Sequence, residues 1–406
     1  MESRVSTNTP PNLSKAAAVR FVVLLGVVSL FADATYEGAR SIAGPYLALL
    51  GASGTVVGFV AGFGELVGYG LRLVSGYLSD RTRRYWAITL VGYTVNLLAV
   101  PFLALAGRWE IAAALLIGER VGKALRNPPR DAMLSYATKE TGRGWGFGLH
   151  EALDQIGAVI GPLIVTAVIA SRRGYPVAFA LLAIPAVLAL STLLAARWLY
   201  PRPQDLETAT PELKTAGFPR AYWTYLAAVA LVAAGYADFP LIAYHFGKAS
   251  TVPTTWIPLL YAVAMGVDGL AALLFGRWFD RAGIPILAAV ALLSALFAPL
   301  VFSGGFALAL LGMALWGLGM GAQESVLRAA IAGMVAPERR GSAYGIFNTG
   351  YGLFWFLGSA VMGMLYDVSL PALIAFSVVV QLAAAPLFLV VAKQLRKEQE
   401  VTGRAG

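Results

Sequence analysis

The stretch GYLSDRTRR at 76–84 closes one long apolar run, and GRWFDRAG at 276–283 closes another half a chain later. A second pair keeps the same spacing. Arg130-Asp-Ala precedes Glu140 and Arg143, and Arg328-Ala-Ala precedes Glu338 and Arg340. Both pairs are separated by about 200 residues in a chain of 406. One matched loop can arise by chance; two at a common offset read as an internal repeat, each copy building half of the structure.

Around these loops the chain is apolar. Hydrophobic residues make up 58% and charged residues 13%, and mean hydropathy is +0.70. A soluble domain is about half apolar and about a quarter charged. Runs of about 20 apolar residues, enough to cross roughly 30 Å of hydrocarbon, recur throughout. They lack the period-two alternation of a barrel strand, and in lipid only helices or closed barrels satisfy every backbone group. The expected fold class is an all-α membrane protein with twelve transmembrane helices in two pseudo-symmetric six-helix bundles. The first six helices are expected over 18–48, 54–78, 85–106, 109–137, 143–170 and 175–198. The second six are expected over 222–247, 256–279, 285–303, 306–334, 342–366 and 371–393. The polar stretch 199–221 reads as a cytoplasmic linker between an 18–198 bundle and a 222–393 bundle, with cytoplasmic tails over 1–17 and 394–406.

The net charge of +9 is spread over short loops rather than gathered in one patch, which argues against nucleic acid as a partner. Arg81, Arg83 and Arg84 follow helix two, Lys139 and Arg143 follow helix four, and Arg202, Lys214 and Arg220 lie in the linker. Arg281 follows helix eight, Arg339 and Arg340 follow helix ten, and Lys393, Arg396 and Lys397 close the chain. By the positive-inside rule these loops and both termini are expected in the cytoplasm, with the protein in the cell (inner) membrane. The first twenty residues are polar, with Arg4, Lys15 and Arg20, and no cleavable signal is expected. Cys is absent, so disulfides and thiolate chemistry drop out. Two histidines, His150 and His245, do not make a multi-His metal site. No metal and no cofactor are expected, and no phosphate-cradling Gly-rich loop supports ATP-driven work.

Charged side chains at membrane depth cost about 2.5–3.5 kcal/mol each and are functional candidates by default. They concentrate in the first half. Asp33 and Glu37 lie four residues apart on one face of helix one, with Arg40 a turn further on. Two acids on one face disfavour each other's ionisation and a nearby Arg favours it, an arrangement suited to taking and releasing a proton. A permanent Glu37–Arg40 pair is the other reading. Arg120, in helix four, keeps its charge at every pH and needs a carboxylate, for which Asp33, Glu37 and Asp154 are the candidates. Proton coupling is therefore expected to involve Asp33, Glu37, Arg120 and Asp154. Arg40, Glu65, Tyr236, Asp238, Asp268, Trp316 and Glu324 are the expected substrate contacts, since isolated polar groups in apolar helices need water or a partner. Tyr36, Tyr244, Tyr261, Phe354, Trp355 and Phe356 either stack on a ligand or pack within the bundles.

The loop at Gly76, Leu78, Asp80 and Arg81 resembles the G-x-L-x-D-R signature of the major facilitator superfamily, and the resemblance spans nearly the whole chain. Gly276, Asp280, Arg281 and Gly283 form the second copy. The first copy departs from the pattern, with Thr82, Arg83 and Arg84 where the family continues through a glycine. The resemblance implies a gating motif of Gly76, Asp80, Arg81 and Asp131 with Gly276, Asp280 and Arg281; a static helix-end salt bridge is the alternative. In helix five, Gly157, Gly161 and Pro162 look like G-x-x-x-G-P, which in that family marks antiporters, and which is otherwise a plain packing seam. A branch of prokaryotic facilitators, regarded as exporters of drugs, metals or metabolites, shares further residues. These are Asp33, Glu37 and Pro45-Tyr46-Leu47 in helix one, and Gly122-Lys123, Arg126 and Pro129-Arg130-Asp131-Ala132 in helix four.

The expected activity is secondary transport of a small molecule by rocking of the two halves, with protons as the coupling ion and export as the direction. Uptake or facilitated diffusion is the alternative on the same fold. No catalytic constellation argues for an enzyme, and no soluble sensory domain for a receptor. The expected partners are the lipid bilayer and the small-molecule substrate, and the chain is expected to act as a monomer.

Overall fold

A computed structural model of the chain describes residues 15–141, 143–201, 217–335 and 340–403. Arg4, Arg202, Lys214, Glu338 and Arg339 lie outside the described residues, as do the side chains of Lys15, Lys139, Glu140, Arg143 and Arg340. In the first half the helices are α1 (Lys15–Leu49), α2 (Gly54–Thr82), α3 (Tyr85–Phe102), α4 (Trp109–Thr141), α5 (Arg143–Ala170), α6 (Gly174–Leu181) and α7 (Ala183–Leu199). The second half holds α8 (Arg220–Gly235), α9 (Phe239–Ala249), α10 (Ile257–Ala282), α11 (Pro285–Ser294) and α12 (Phe297–Ser303). It ends with α13 (Phe306–Met334), α14 (Arg340–Val368) and α15 (Leu370–Gly403). Since α6–α7, α8–α9 and α11–α12 each share one span, these helices make twelve spans among the described residues.

Eleven spans are long and apolar enough to cross a membrane. The remaining one, α4, is 33 residues long but carries Glu119, Arg120, Lys123, Arg126 and Arg130 in its middle. It is held among other helices rather than by lipid, packing on α1, α2, α3 and α5, which is how polar spans are tolerated.

Spans six and nine, expected as single helices, are interrupted at Leu182 and at Ala295–Leu296, and two further spans also differ from expectation. Span seven, expected as one helix over 222–247, breaks at Tyr236–Asp238, where the backbone is extended. Pro240 is the cause: it has no N–H to give and its ring clashes with the carbonyl four residues back, so a new helix starts there instead. The last helix runs to Gly403 rather than ending at 393, because Lys393–Glu400 is rich in Lys, Gln, Arg and Glu, all good helix formers.

Glycines set how closely the helices approach. Within the first half, a Cβ on Gly157 would fall 2.2 Å from the Leu30 carbonyl oxygen, and one on Gly161 2.3 Å from that of Ala34, so α1 and α5 are in backbone contact. Between the halves, α1 meets α9, α2 meets α14 and α5 meets α10. At the chain end opposite the basic loops this seam is shut. A Cβ on Gly44 would lie 1.9 Å from the Pro240 oxygen, and one on Gly58 2.4 Å from that of Ser359. Towards the basic end the halves part around a cavity.

Candidate functional site

The cavity measures about 1260 Å³ including its open mouth, and both halves wall it: Glu37, Glu65 and Lys123 from the first, Glu324, Arg328 and Trp355 from the second. At its inner limit lies a continuous polar chain. Arg40 Nη2 is 2.7 Å from Asp238 Oδ1 and 3.1 Å from Glu65 Oε1. Arg120 places Nη2 3.3 Å from the same Glu65 oxygen and Nε 3.3 Å from Glu119 Oε2. Asn96 on α3 donates Nδ2 to Glu119 Oε1 at 2.7 Å, and Trp355 on α14 donates Nε1 to Asp238 Oδ2 at 3.0 Å. The chain thus crosses from one half to the other through the break in span seven. A smaller void of about 510 Å³ lies beyond it, sharing Tyr36, Arg40, Glu65 and Arg120 with the cavity.

Why Asp238 can serve here follows from the break. It stands at the N-terminal boundary of α9 without capping it through its side chain, so both carboxylate oxygens are free for Arg40 and Trp355. Such discontinuous helices are a common way for transporters to bring polar groups to the midplane.

Glu37 makes a second tie between halves. It accepts a hydrogen bond from the Tyr261 hydroxyl on α10 and stands 3.8 Å from Lys123 Nζ. Lys123 in turn sits 4.0 Å above the Tyr36 ring, a cation–π contact. Asp33, one turn before Glu37, is buried behind Tyr36. Arg126 Nη2 approaches it at 3.7 Å, and its Oδ1 has no hydrogen-bond partner. Arg126 is clasped between the rings of Tyr93 and Tyr36, at 4.4 and 5.5 Å. Asp154 lines the cavity with Oδ1 also unpartnered.

The expected residues therefore divide. Glu37, Arg40, Glu65, Arg120, Asp154 and Glu324 meet around the cavity. Asp238 reaches it through Arg40, and Asp33 lies just behind its wall. The partners named for Arg120, which were Asp33, Glu37 and Asp154, are replaced by Glu65 and Glu119. Tyr236 and Trp316 do not line the cavity: both are fully buried, the Tyr236 hydroxyl donating to the Trp316 carbonyl and Trp316 Nε1 to that of Ala237. Asp268 is buried against Gln155 Nε2 at 3.5 Å and does not line the cavity. Glu119 and Asn96 were given no role at the site, and Tyr261 was offered only as a ring to stack on a ligand or to pack, not as the partner of Glu37. Asn96 had a sequence signal, as a lone amide inside an otherwise apolar run.

The loop motifs are parted from one another. Asp80 accepts from the Tyr85 hydroxyl at 3.3 Å, Arg81 donates to that of Tyr77 at 3.0 Å, and Asp131 pairs with Arg130 at 2.8 Å. A Cβ on Gly76 would meet only Pro128 at 3.6 Å, and one on Gly276 nothing within 4 Å. No ion pair is made by Asp280 or Arg281 among the described residues.

The site is a pocket between two halves, lined by charges with more than one possible partner, and it suits binding and release. Comparison with known proteins agrees. An uncharacterised protein of Mycobacterium tuberculosis is 44% identical over 383 residues, covering 93% of each chain. The multidrug resistance protein MdtH of Proteus mirabilis is 35% identical over 115 residues, 28% of each chain. Among solved structures, a variant of the nucleoside transporter NupG superposes with a TM-score of 0.72 at 15% identity, covering 91% of this chain and all of the other, and so shares the fold. The sequence profile of the Major Facilitator Superfamily matches residues 24–322 and 230–405. The chain belongs to that superfamily and is a membrane transporter of its type.

Proposed function

We propose that the protein is a proton-coupled exporter of a small molecule, working by alternating access in the cell membrane. The basic end of the bundle is its cytoplasmic face, so the parted halves correspond to an inward-facing state. Glu37 carries the reading: one carboxylate accepts from Tyr261 of the second half and faces Lys123 of the first. A proton on that carboxylate removes its attraction for Lys123 and weakens the tie between halves. Asp33, one turn away with an unpartnered oxygen, and Asp154 on the cavity wall are the further proton carriers. Arg120 holds Glu65 and through it Arg40 and Asp238, so its part is to position the tie.

Substrate binds in the cavity against Arg40, Glu65 and Glu324, between the halves, as in secondary transporters generally. Closing the basic end brings Gly76 and Gly276 against the opposite half and lets Arg81 pair with Asp131. Export is the direction suggested by the likeness to MdtH, whose name is that of a multidrug resistance protein. The protein works as a monomer.

The test is flux. Purified protein in proteoliposomes is given an imposed proton gradient and a solute chosen by thermal-shift screening. Solute leaving against incoming protons is the expected result. Solute moving with the protons makes the protein an uptake system, and flux indifferent to the gradient makes it a facilitator.

A further inference from the structure

The two seams between halves are not alike. Along α2 and α14 the seam stays shut far towards the basic end: a Cβ on Gly352 would fall 2.8 Å from Tyr69 Cβ, and one on Gly345 2.8 Å from Leu73 Cδ2. Between α5 and α10 it opens. A second pocket of about 1070 Å³, counting its open side, lies there against Ile156 and Val159 of α5 and Met265 and Leu273 of α10. Ile156 and Leu273 are exposed on this face, which in a bilayer meets acyl chains. Glu151 and Ala272 belong to the walls of both pockets, so the apolar vestibule and the charged cavity share a wall.

The charges of the cavity also sort into two sets. Arg40, Arg120, Lys123, Arg126 and Arg130 all have carboxylate partners. Arg72 and Arg328, on opposite halves, have none among the described residues; Arg72 rests 4.6 Å over the Tyr69 ring, and its Nε is buried with no acceptor. Glu151, Asp154 and Glu324 likewise lack a cation partner among the described residues, and a buried oxygen of Asp154 has no donor. Unpaired groups of both signs in one cavity are costly, and a ligand carrying both signs satisfies them together.

We propose that the cavity takes a single-chain zwitterionic amphiphile from the membrane leaflet at the basic end. Its phosphate binds between Arg72 and Arg328, its ammonium faces Glu151 and Glu324, and its chain lies in the α5–α10 vestibule. A guanidinium pair holds phosphate bidentately, and Glu151 stands where head and chain would join. The inference rests on the transport reading above and names its substrate class.

The test uses the full chain in nanodiscs and lysophosphatidylethanolamine bearing a diazirine at the end of its chain. Photolabel is expected within 148–160 and 265–273. A monoacylglycerol with the same chain and diazirine lacks both phosphate and ammonium and should label at least about ten-fold less, since losing even one charge-assisted contact implies that much. Equal labelling by the two means the groove holds any lipid chain and overturns the proposal. Gly266→Phe projects a ring into open space and should abolish the label while the protein stays monodisperse. Arg328→Gln and Glu151→Gln should erase the preference for the zwitterion; a preference kept in both overturns the head-group assignment. Proton-driven flux of a water-soluble solute with no label in the vestibule overturns the membrane route and leaves transport standing. Label without flux of any solute removes the transport reading instead.

Discussion

Arg40 of α1 donates to Asp238 at the break of span seven, 2.7 Å away across the interface between halves. The pair sits at the shut end: Gly44, one turn beyond Arg40, is packed on Pro240, two residues after Asp238. It is a buried pair whose arginine has a second acid, Glu65, at 3.1 Å. Breaking a buried pair costs about 3–5 kcal/mol, and Glu65 keeps the loss at the lower end. Asp238→Ala is expected to lower the melting temperature in detergent. Glu65→Gln in the same chain should cost more than the sum of the two single changes, since Arg40 is then stranded. Additive effects would mean that Glu65 and Asp238 act on Arg40 independently.

Asp33→Asn separates coupling from binding. The carboxylate has Arg126 at 3.7 Å and an oxygen with no donor, so an amide fits without a new clash. The expected outcome is folded protein that still exchanges solute across the membrane with no gradient imposed, and that no longer responds to a proton gradient. Gradient-driven flux equal to that of the unaltered protein sinks the assignment of Asp33.

The two glycine motifs should answer oppositely to one methyl group. At Gly157 the added carbon falls 2.2 Å from a backbone oxygen, and overpacking of this kind costs about 1–3 kcal/mol or more. Gly157→Ala should reduce the yield of monodisperse protein. At Gly276 the carbon meets nothing, so Gly276→Ala should melt as the unaltered protein does. If Gly276 closes on the other half during the cycle, the same change should slow flux several-fold; unchanged flux denies it that part.

How far the residues foretell this arrangement depends on the question. Apolar length and the paired loops at 76–84 and 276–283 carry the helix count and the two halves, because crossing a bilayer and repeating a motif are properties of the linear chain. The break at Tyr236–Asp238 was missed in an expected single helix over 222–247, although Gly235 and Pro240 carry its signal. Pairing has no such signal. Arg120 had three candidate acids on α1 and α5, whereas its partners, Glu65 and Glu119, come from α2 and from its own helix. Sequence period says which residues share a face of one helix, not how that helix is rotated against the next. Tyr236 and Trp316 failed for a related reason. An aromatic at mid-membrane looks the same in sequence whether it lines a pocket or fills a core, and these two bond to each other's neighbourhood instead.

A last prediction concerns the shut end. Asp367, at the C-terminal end of α14, accepts from the Gly54 and Thr55 amides at 3.0 and 2.7 Å and from the Thr55 hydroxyl at 2.7 Å. A carboxylate from one half therefore meets the N-terminus of a helix in the other, where free N–H groups and the helix dipole favour negative charge. Losing such a contact costs about 1 kcal/mol, roughly a five-fold change in the ratio of shut to open. The chain has no cysteine, so Leu49→Cys and Val368→Cys, both exposed beside this seam, can be spin-labelled in an otherwise natural background. Asp367→Ala should move the label distance distribution towards its longer component by about that five-fold factor. Asp367→Asn, which keeps an acceptor but no charge, should fall between. A distribution unmoved by Asp367→Ala would mean that the glycine contacts at Gly44 and Gly58 hold the end shut without it.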